Sequence, residues 1–133
     1  MKTFDVQSVQ IETPFQEAVG YISDAAKLPE WASAFQSVDG CRARMATPAG
    51  SVDVDLRVDV CTEDGSIDWT MTFPDKSTAR AFSRVVPLSP RSVVYTFVLT
   101  PPPVPLEQLE GALDRQSATL RQELDRLRQI LEK

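Results

Sequence analysis

Residues 105–133 read PLEQLEGALDRQSATLRQELDRLRQILEK. Leu106, Leu109, Leu113, Ser117, Leu120, Leu124, Leu127 and Leu131 recur at steps of three and four, which places a leucine stripe along one helical face. Pro105 suits the first helical position. Glu107, Glu110 and Asp114 stand early and Arg126, Arg128 and Lys133 late, the order the helix dipole favours. At about 1.5 Å per residue such a helix extends roughly 40 Å, long enough to cross a small domain. It needs an apolar surface to lie on, and the residues before it read largely as strands.

Working back from the helix, Pro101-Pro102-Pro103 cannot continue a central strand and ends the sheet with a stiff connection. Two strands precede it, Ser77 to Val86 and Ser92 to Thr100, separated by a proline-containing turn from Pro87 to Arg91. Before Pro74-Asp75-Lys76, the residues Ile67, Trp69, Met71 and Phe73 alternate with Asp68, Thr70 and Thr72. Glu63-Asp64-Gly65 is a hairpin signal. Upstream of it, Val52, Val54, Leu56, Val58 and Val60 alternate with Asp53, Asp55, Arg57 and Asp59. Thr47-Pro48-Ala49-Gly50 is a turn, and Val38 to Ala46 reads as one strand.

The amino-terminal part has a different rhythm. Phe4 to Glu12 is a strand whose apolar phase moves from Phe4 and Val6 to Val9 and Ile11, which suggests a bulge or a twisted edge. Thr13 as N-cap, Pro14 at the first position and Glu17 early start a short helix that buries Phe15, Ala18, Val19 and Ile22 and ends near Ser23. Asp24 caps the next turn, and Leu28-Pro29-Glu30-Trp31 enters a second short helix expected to run to about Phe35. The expected fold is therefore α+β: a curved antiparallel sheet of about six strands wrapped around a long C-terminal helix, with two short helices after the first strand.

Composition narrows function mainly by exclusion. The 133 residues are read as a single domain, residues 1–133, with 42% hydrophobic and 25% charged residues, ordinary globular usage. The net charge is -5, and neither the part before Pro105 nor the part after it is basic, so no nucleic-acid partner is expected. No run of about 18 apolar residues occurs and Met1 to Thr13 has no signal-type core, so a cytoplasmic protein without stable membrane insertion is expected. Histidine is absent, which removes Ser-His and Cys-His pairs and histidine-metal sites. Five glycines, at 20, 40, 50, 65 and 111, form neither a dinucleotide fingerprint nor a phosphate loop. Asp53, Asp55 and Asp59 lack calcium-loop spacing and read as a solvated sheet face. No metal or cofactor is expected. Cys41 and Cys61, each inside a strand-like segment, read as free buried thiols.

The motifs carry a resemblance. The initial strand, Thr13-Pro14 opening a helix and Ser23-Asp24-Ala25-Ala26-Lys27-Leu28-Pro29-Glu30-Trp31, together with a last strand Val93 to Thr100, prolines and a helix ending Leu124-Asp125-Arg126-Leu127-Arg128-Gln129-Ile130-Leu131-Glu132, resemble the START and polyketide cyclase superfamily, also called SRPBCC. The likeness covers nearly the whole chain and specifies a scaffold. It implies the helix-grip fold and a cavity between sheet and long helix that takes lipids, sterols, polyketides or other apolar molecules.

Candidate site residues follow. Trp31, Trp69, Met71, Phe73, Tyr95 and Phe97, with Leu109, Ala112, Leu113 and Ser117 of the long helix, read as ligand lining or as core, two readings that overlap in this fold. Tyr95 offers a hydroxyl as acid or donor. On the strand Ser77 to Val86 one phase is Ala79, Ala81, Ser83 and Val85 and the other carries Arg80, Phe82 and Arg84. If the small phase faces the helix, both arginines lie in solvent, the arrangement we favour; if it does not, they could bind a carboxylate or polarise a carbonyl. The leading expectation is binding of a small hydrophobic or aromatic ligand. The rivals are a cyclase, dehydratase or aromatase using Arg80, Arg84 and Tyr95, and a filled core serving a protein partner or a homodimer.

Overall fold

The computed structural model describes residues 4–47, 50–100 and 106–133, and of residues 47, 106–110 and 112 the backbone alone. The chain runs β1 (Asp5–Ile11), α1 (Phe15–Ile22), a 3-10 turn (Ala25–Lys27), α2 (Leu28–Trp31), β2 (Phe35–Asp39), β3 (Arg42–Thr47), β4 (Gly50–Cys61), β5 (Ser66–Thr72), β6 (Thr78–Ser89), β7 (Ser92–Leu99) and α3 (Leu106–Leu131). Seven antiparallel strands form one sheet in the order β1-β7-β6-β5-β4-β3-β2. Every neighbour pair but one is sequential. The exception joins the first and last strands and brings the amino terminus beside the strand that precedes α3. Pro101-Pro102-Pro103, Pro105, Pro48 and Ala49 lie outside the described residues.

The strand count exceeds the expected six because Val38 to Ala46 is a hairpin. Gly40 has φ +62, the left-handed conformation that glycine adopts without a Cβ clash, and it turns β2 into β3 directly after Asp39. The second helix is shorter than expected: Ala32 is extended (φ -99, ψ 101), and Phe35 already belongs to β2. The first helix starts one residue later than expected, with Pro14 as N-cap and no side-chain cap, while Thr13 is buried. Asp24 accepts from the Ala26 amide at 3.1 Å, the cap its position implies. The strand before the last turn continues to Ser89, past Pro87, through a register shift between Pro87 and Ser89.

β1 is an edge strand without a bulge. Its register against β7 is unbroken from Asp5↔Leu99 to Ile11↔Val93, and Gln7, Val9 and Ile11 share its inner phase. Phe4 and Val6 are exposed instead, and Val6 pairs with Val98, itself opposite Phe82, in an apolar row on the outer face. The cysteines also differ from expectation: both are free, but Cys41 sits in the hairpin turn and Cys61 in the outward phase of β4, so both thiols are exposed.

The core lies between the inner sheet face and the helices. Ile67, Trp69 and Met71 of β5, Val54 and Leu56 of β4, Val85 of β6 and Val93 and Tyr95 of β7 meet Ala18, Val19 and Ile22 of α1 and Leu120, Leu124 and Leu127 of α3. From Leu113 onward the leucine stripe is therefore the inner face of α3, with Leu113, Leu120, Leu124 and Leu127 buried and Leu131 partly so. The helix approaches the sheet backbone most closely at β1 and also meets α2. Bulky inner-face side chains stand between it and the middle strands.

Candidate functional site

Three rings of the inner sheet face and one of α2 form a connected aromatic cluster. Trp31 of α2 meets Trp69 at 6.5 Å and Tyr95 at 6.4 Å, both edge to face. Phe97 stacks on Trp69 at 6.0 Å and meets Tyr95 edge to face at 6.4 Å. Strand alternation puts Trp69 on the inner face of β5 and Tyr95 and Phe97 on that of β7, and the two strands flank β6, whose inner residues are small. Ala79, Ala81 and Ser83 leave room for rings from either side.

Polar atoms in and beside the cluster are short of partners. Among the described residues, Trp31 Nε1, Trp69 Nε1, the Tyr95 hydroxyl and Gln7 Oε1 are buried and have no hydrogen-bond partner. A buried polar group left unpaired costs about 1–3 kcal/mol, so four in one layer is a concentrated expense. Burial pushes the Tyr95 hydroxyl far above the usual phenol range; Ser83 eases that rise and the Asp68 carboxylate adds to it. The phenol thus stays protonated and acts as a donor rather than a source of protons. Ser83 itself donates to the Ile67 carbonyl at 2.6 Å. Gln7 Nε2 donates to Asp5 Oδ2 at 2.7 Å and to the Ser117 carbonyl at 2.8 Å, tying the inner face of β1 to the middle of α3.

Trp31 also lines an open cleft of about 320 Å³ with Ser33, Thr119, Gln122, Glu123, Asp125, Arg126 and Gln129. The cleft lies where α2 and the residues after it meet α3, so Trp31 belongs to both cleft and cluster. Polar ties hold this junction. Glu123 Oε2 accepts from the Ser33 amide and from Ser33 Oγ, and Arg126 Nε donates to the Glu30 carbonyl at 2.5 Å. Glu30 in turn accepts from the Tyr21 hydroxyl at 2.7 Å and pairs with Lys27 at 3.7 Å.

Burial raises the Glu123 carboxyl above its ordinary value of 4.5, against the opposing bonds from Ser33 and Ala34. A carboxyl with a raised folded-state pKa binds its proton more tightly when folded, so its contribution to stability is complete below about 4.5 and is lost as pH rises through the folded value. Glu123→Gln keeps an acceptor for Ser33 and removes that titration. The wild-type minus variant difference in Tm should fall as pH is raised from about 4 to 7, and a difference that rises or stays constant would contradict the assignment.

Other candidates from the sequence are distributed as follows. Met71 and Leu113 are buried, while Phe73 and Ser117 are partly buried. The side chains of Leu109 and Ala112 lie outside the described residues. Arg80 and Arg84, proposed as catalytic alternatives, point to the solvent side, because the small phase of β6 faces inward. Arg80 lies 4.9 Å over the Phe82 ring, and Arg84 donates to the Asp64 carbonyl at 3.0 Å. Arg84 and Phe82 line a shallow outer-face cleft of about 210 Å³ with Asp68, Ser83, Thr96 and Val98. Neither arginine is placed to act on a molecule held beneath α3. Sequence reasoning missed Gln7, Ser83 and Glu123. Gln7 is a polar residue between Val6 and Ser8, and only the register with β7 reveals that it faces inward.

The arrangement is that of a helix-grip protein: an antiparallel sheet closed by a long terminal helix, with two short helices after the first strand. No family model matches the chain, and no curated protein does. Solved structures do. The XoxI protein of Bacillus cereus superposes with a TM-score of 0.70 at 15% identity, over 98% of this chain and 96% of its own. A START superfamily protein of Mycobacterium smegmatis gives 0.69 at 14% identity, over 98% of both chains. The di-domain aromatase/cyclase BexL of the BE-7585A biosynthetic pathway gives 0.69 at 17% identity, with this chain spanning 97% of itself and 46% of that protein. The chain has the fold that the START and polyketide cyclase resemblance implied.

Proposed function

We propose that this protein binds a small apolar or aromatic molecule beneath α3, with Trp31, Trp69, Tyr95 and Phe97 as the principal contacts. The observation that carries the reading is the aromatic cluster with its unpaired buried polar atoms, adjoining an open cleft through Trp31. Apolar walls with a few fixed polar groups are the usual make-up of small-molecule sites. The fold, shared with a START superfamily protein and with an aromatase/cyclase, is compatible with such a role. Chemistry is less well supported: the Tyr95 hydroxyl is held protonated, and the arginines that would have assisted it lie on the other sheet face. Ser117 is the position where α3 presents a small, partly buried residue beside the Gln7 anchor.

The test is native mass spectrometry of the purified protein, followed by thermal-shift measurements against lipids and polyketide-like aromatics. A co-purifying mass, or a saturable rise in Tm for at least one class, is expected. Ser117→Leu should weaken that binding at least fivefold while lowering Tm by no more than about 4 °C, since a partly buried site absorbs added volume at modest cost. Chain mass alone with no shift across the panel would remove the binding reading.

A further inference from the structure

Resting on the binding reading above, we infer that the ligand is a neutral, flat aromatic compound bearing an acceptor oxygen, such as a ring ketone, rather than a fatty acid or other anionic lipid. Two of the four unpaired buried atoms, Trp31 Nε1 and Trp69 Nε1, are hydrogen-bond donors only, and a third, the Tyr95 hydroxyl, can donate or accept. Indole nitrogens can only donate, so two of them are satisfied only by an acceptor. Burial keeps the Tyr95 hydroxyl protonated, so it has a proton to donate, and Ser83, which interacts with it, gives its own proton to the Ile67 carbonyl. The donors belong to one set of contacting rings, with Trp31 at 6.5 Å from Trp69 and 6.4 Å from Tyr95, so the ligand proposed is one small enough to enter that set and reach more than one of them. Among the described residues Gln7 Oε1 is a buried acceptor without a partner and suits a hydroxyl on the same ligand.

The same surroundings select against negative charge. No described arginine or lysine is buried: Arg42, Arg44, Arg57, Arg80, Arg84, Arg91, Arg115, Arg121 and Arg126 are exposed, as are Lys27, Lys76 and Lys133. Arg128 is half-buried, but it is engaged by Asp125 at 2.7 Å and Glu132 at 3.2 Å. A carboxylate carried into the ring cluster would therefore be desolvated without a counter-charge, whereas a carbonyl exchanges water for the waiting donors.

Three shape-matched probes separate the possibilities: 9-fluorenone, fluorene and fluorene-9-carboxylate. The chain has two tryptophans, Trp31 and Trp69, both in the cluster, so quenching of intrinsic fluorescence reads the site directly. Fluorenone should bind at least tenfold more tightly than fluorene, and the carboxylate more weakly than either. Tyr95→Phe should weaken fluorenone binding several-fold more than fluorene binding, and Trp69→Phe, followed by calorimetry, should do the same. Fluorene binding as tightly as fluorenone, or tightest binding by the carboxylate, would overturn this inference and leave the binding reading intact. An equal loss for both neutral probes in Tyr95→Phe would also overturn it, since the hydroxyl would then serve packing alone. Binding of none of the three by folded protein would overturn both.

Discussion

Gly65→Ala should destabilise the protein by about 3 kcal/mol and lower its Tm by on the order of 10 °C. Gly65 turns β4 into β5 with φ +81, a conformation that costs an alanine about 1–2 kcal/mol. Space adds a second penalty. A Cβ there would lie 2.2 Å from the Val85 carbonyl oxygen and 3.0 Å from Phe15 Cε1. The first contact is with backbone and cannot be relieved by a rotamer change. The backbone cannot simply step aside, because the Val85 amide donates to the Gly65 carbonyl at 2.8 Å and the Gly65 amide donates to Cys61 at 2.9 Å. Gly40→Ala supplies the control. Gly40 has a similar φ of +62 but nothing within 4 Å of the added carbon, so only the conformational cost remains. A Tm loss for Gly65→Ala at least twice that for Gly40→Ala is expected in calorimetry, and equal losses would show that the close approach to Val85 is not a constraint.

The contrast between those two glycines also shows what was legible in the sequence. Glu63-Asp64-Gly65 sits between two clean alternations, so its turn is readable. Asp39-Gly40 carries the same kind of signal, but its flanks, Phe35 to Val38 and Arg42 to Met45, are short and mixed, and the hairpin reads as one strand. Periodicity reports that a face exists, not which way it points. On β4 the aspartates decide the direction. On β1 the apolar residues Phe4 and Val6 compete with Gln7, and the sheet resolves the contest by pairing Val6 with Val98 on the outer face. The Cys61 thiol follows the aspartates of its own strand outward for the same reason.

The site was legible in its rings and illegible in its polar atoms. Trp69, Tyr95 and Phe97 stand out because they occupy alternate strand positions, and Trp31 because it ends a helix-start motif. That Gln7 reaches the Ser117 carbonyl across 110 residues, or that Glu123 holds Ser33, depends on where α3 crosses the sheet edge and α2. No local pattern encodes that crossing.

Leu124→Ala should cost about 3 kcal/mol, within the roughly 2–5 kcal/mol range for a leucine truncated in a well-packed core. Leu124 is 1% exposed and sits between Leu120 and Leu127 at the end of α3 that meets α2. Ile130 and Leu131 pack against the core there but stay partly exposed, so these three buried leucines are the main apolar hold of this end of the helix. A helix of 26 residues makes its own backbone bonds, and helicity by circular dichroism should change little. What should fall is Tm, by on the order of 10 °C, with loss of the tertiary signal from Trp31 and Trp69. Leu124→Met, which nearly conserves volume, should recover most of the loss. If Leu124→Ala lowered Tm by less than about 3 °C, the distal half of α3 would not be a packed element, and the junction at Trp31 would depend instead on Glu123 and Arg126.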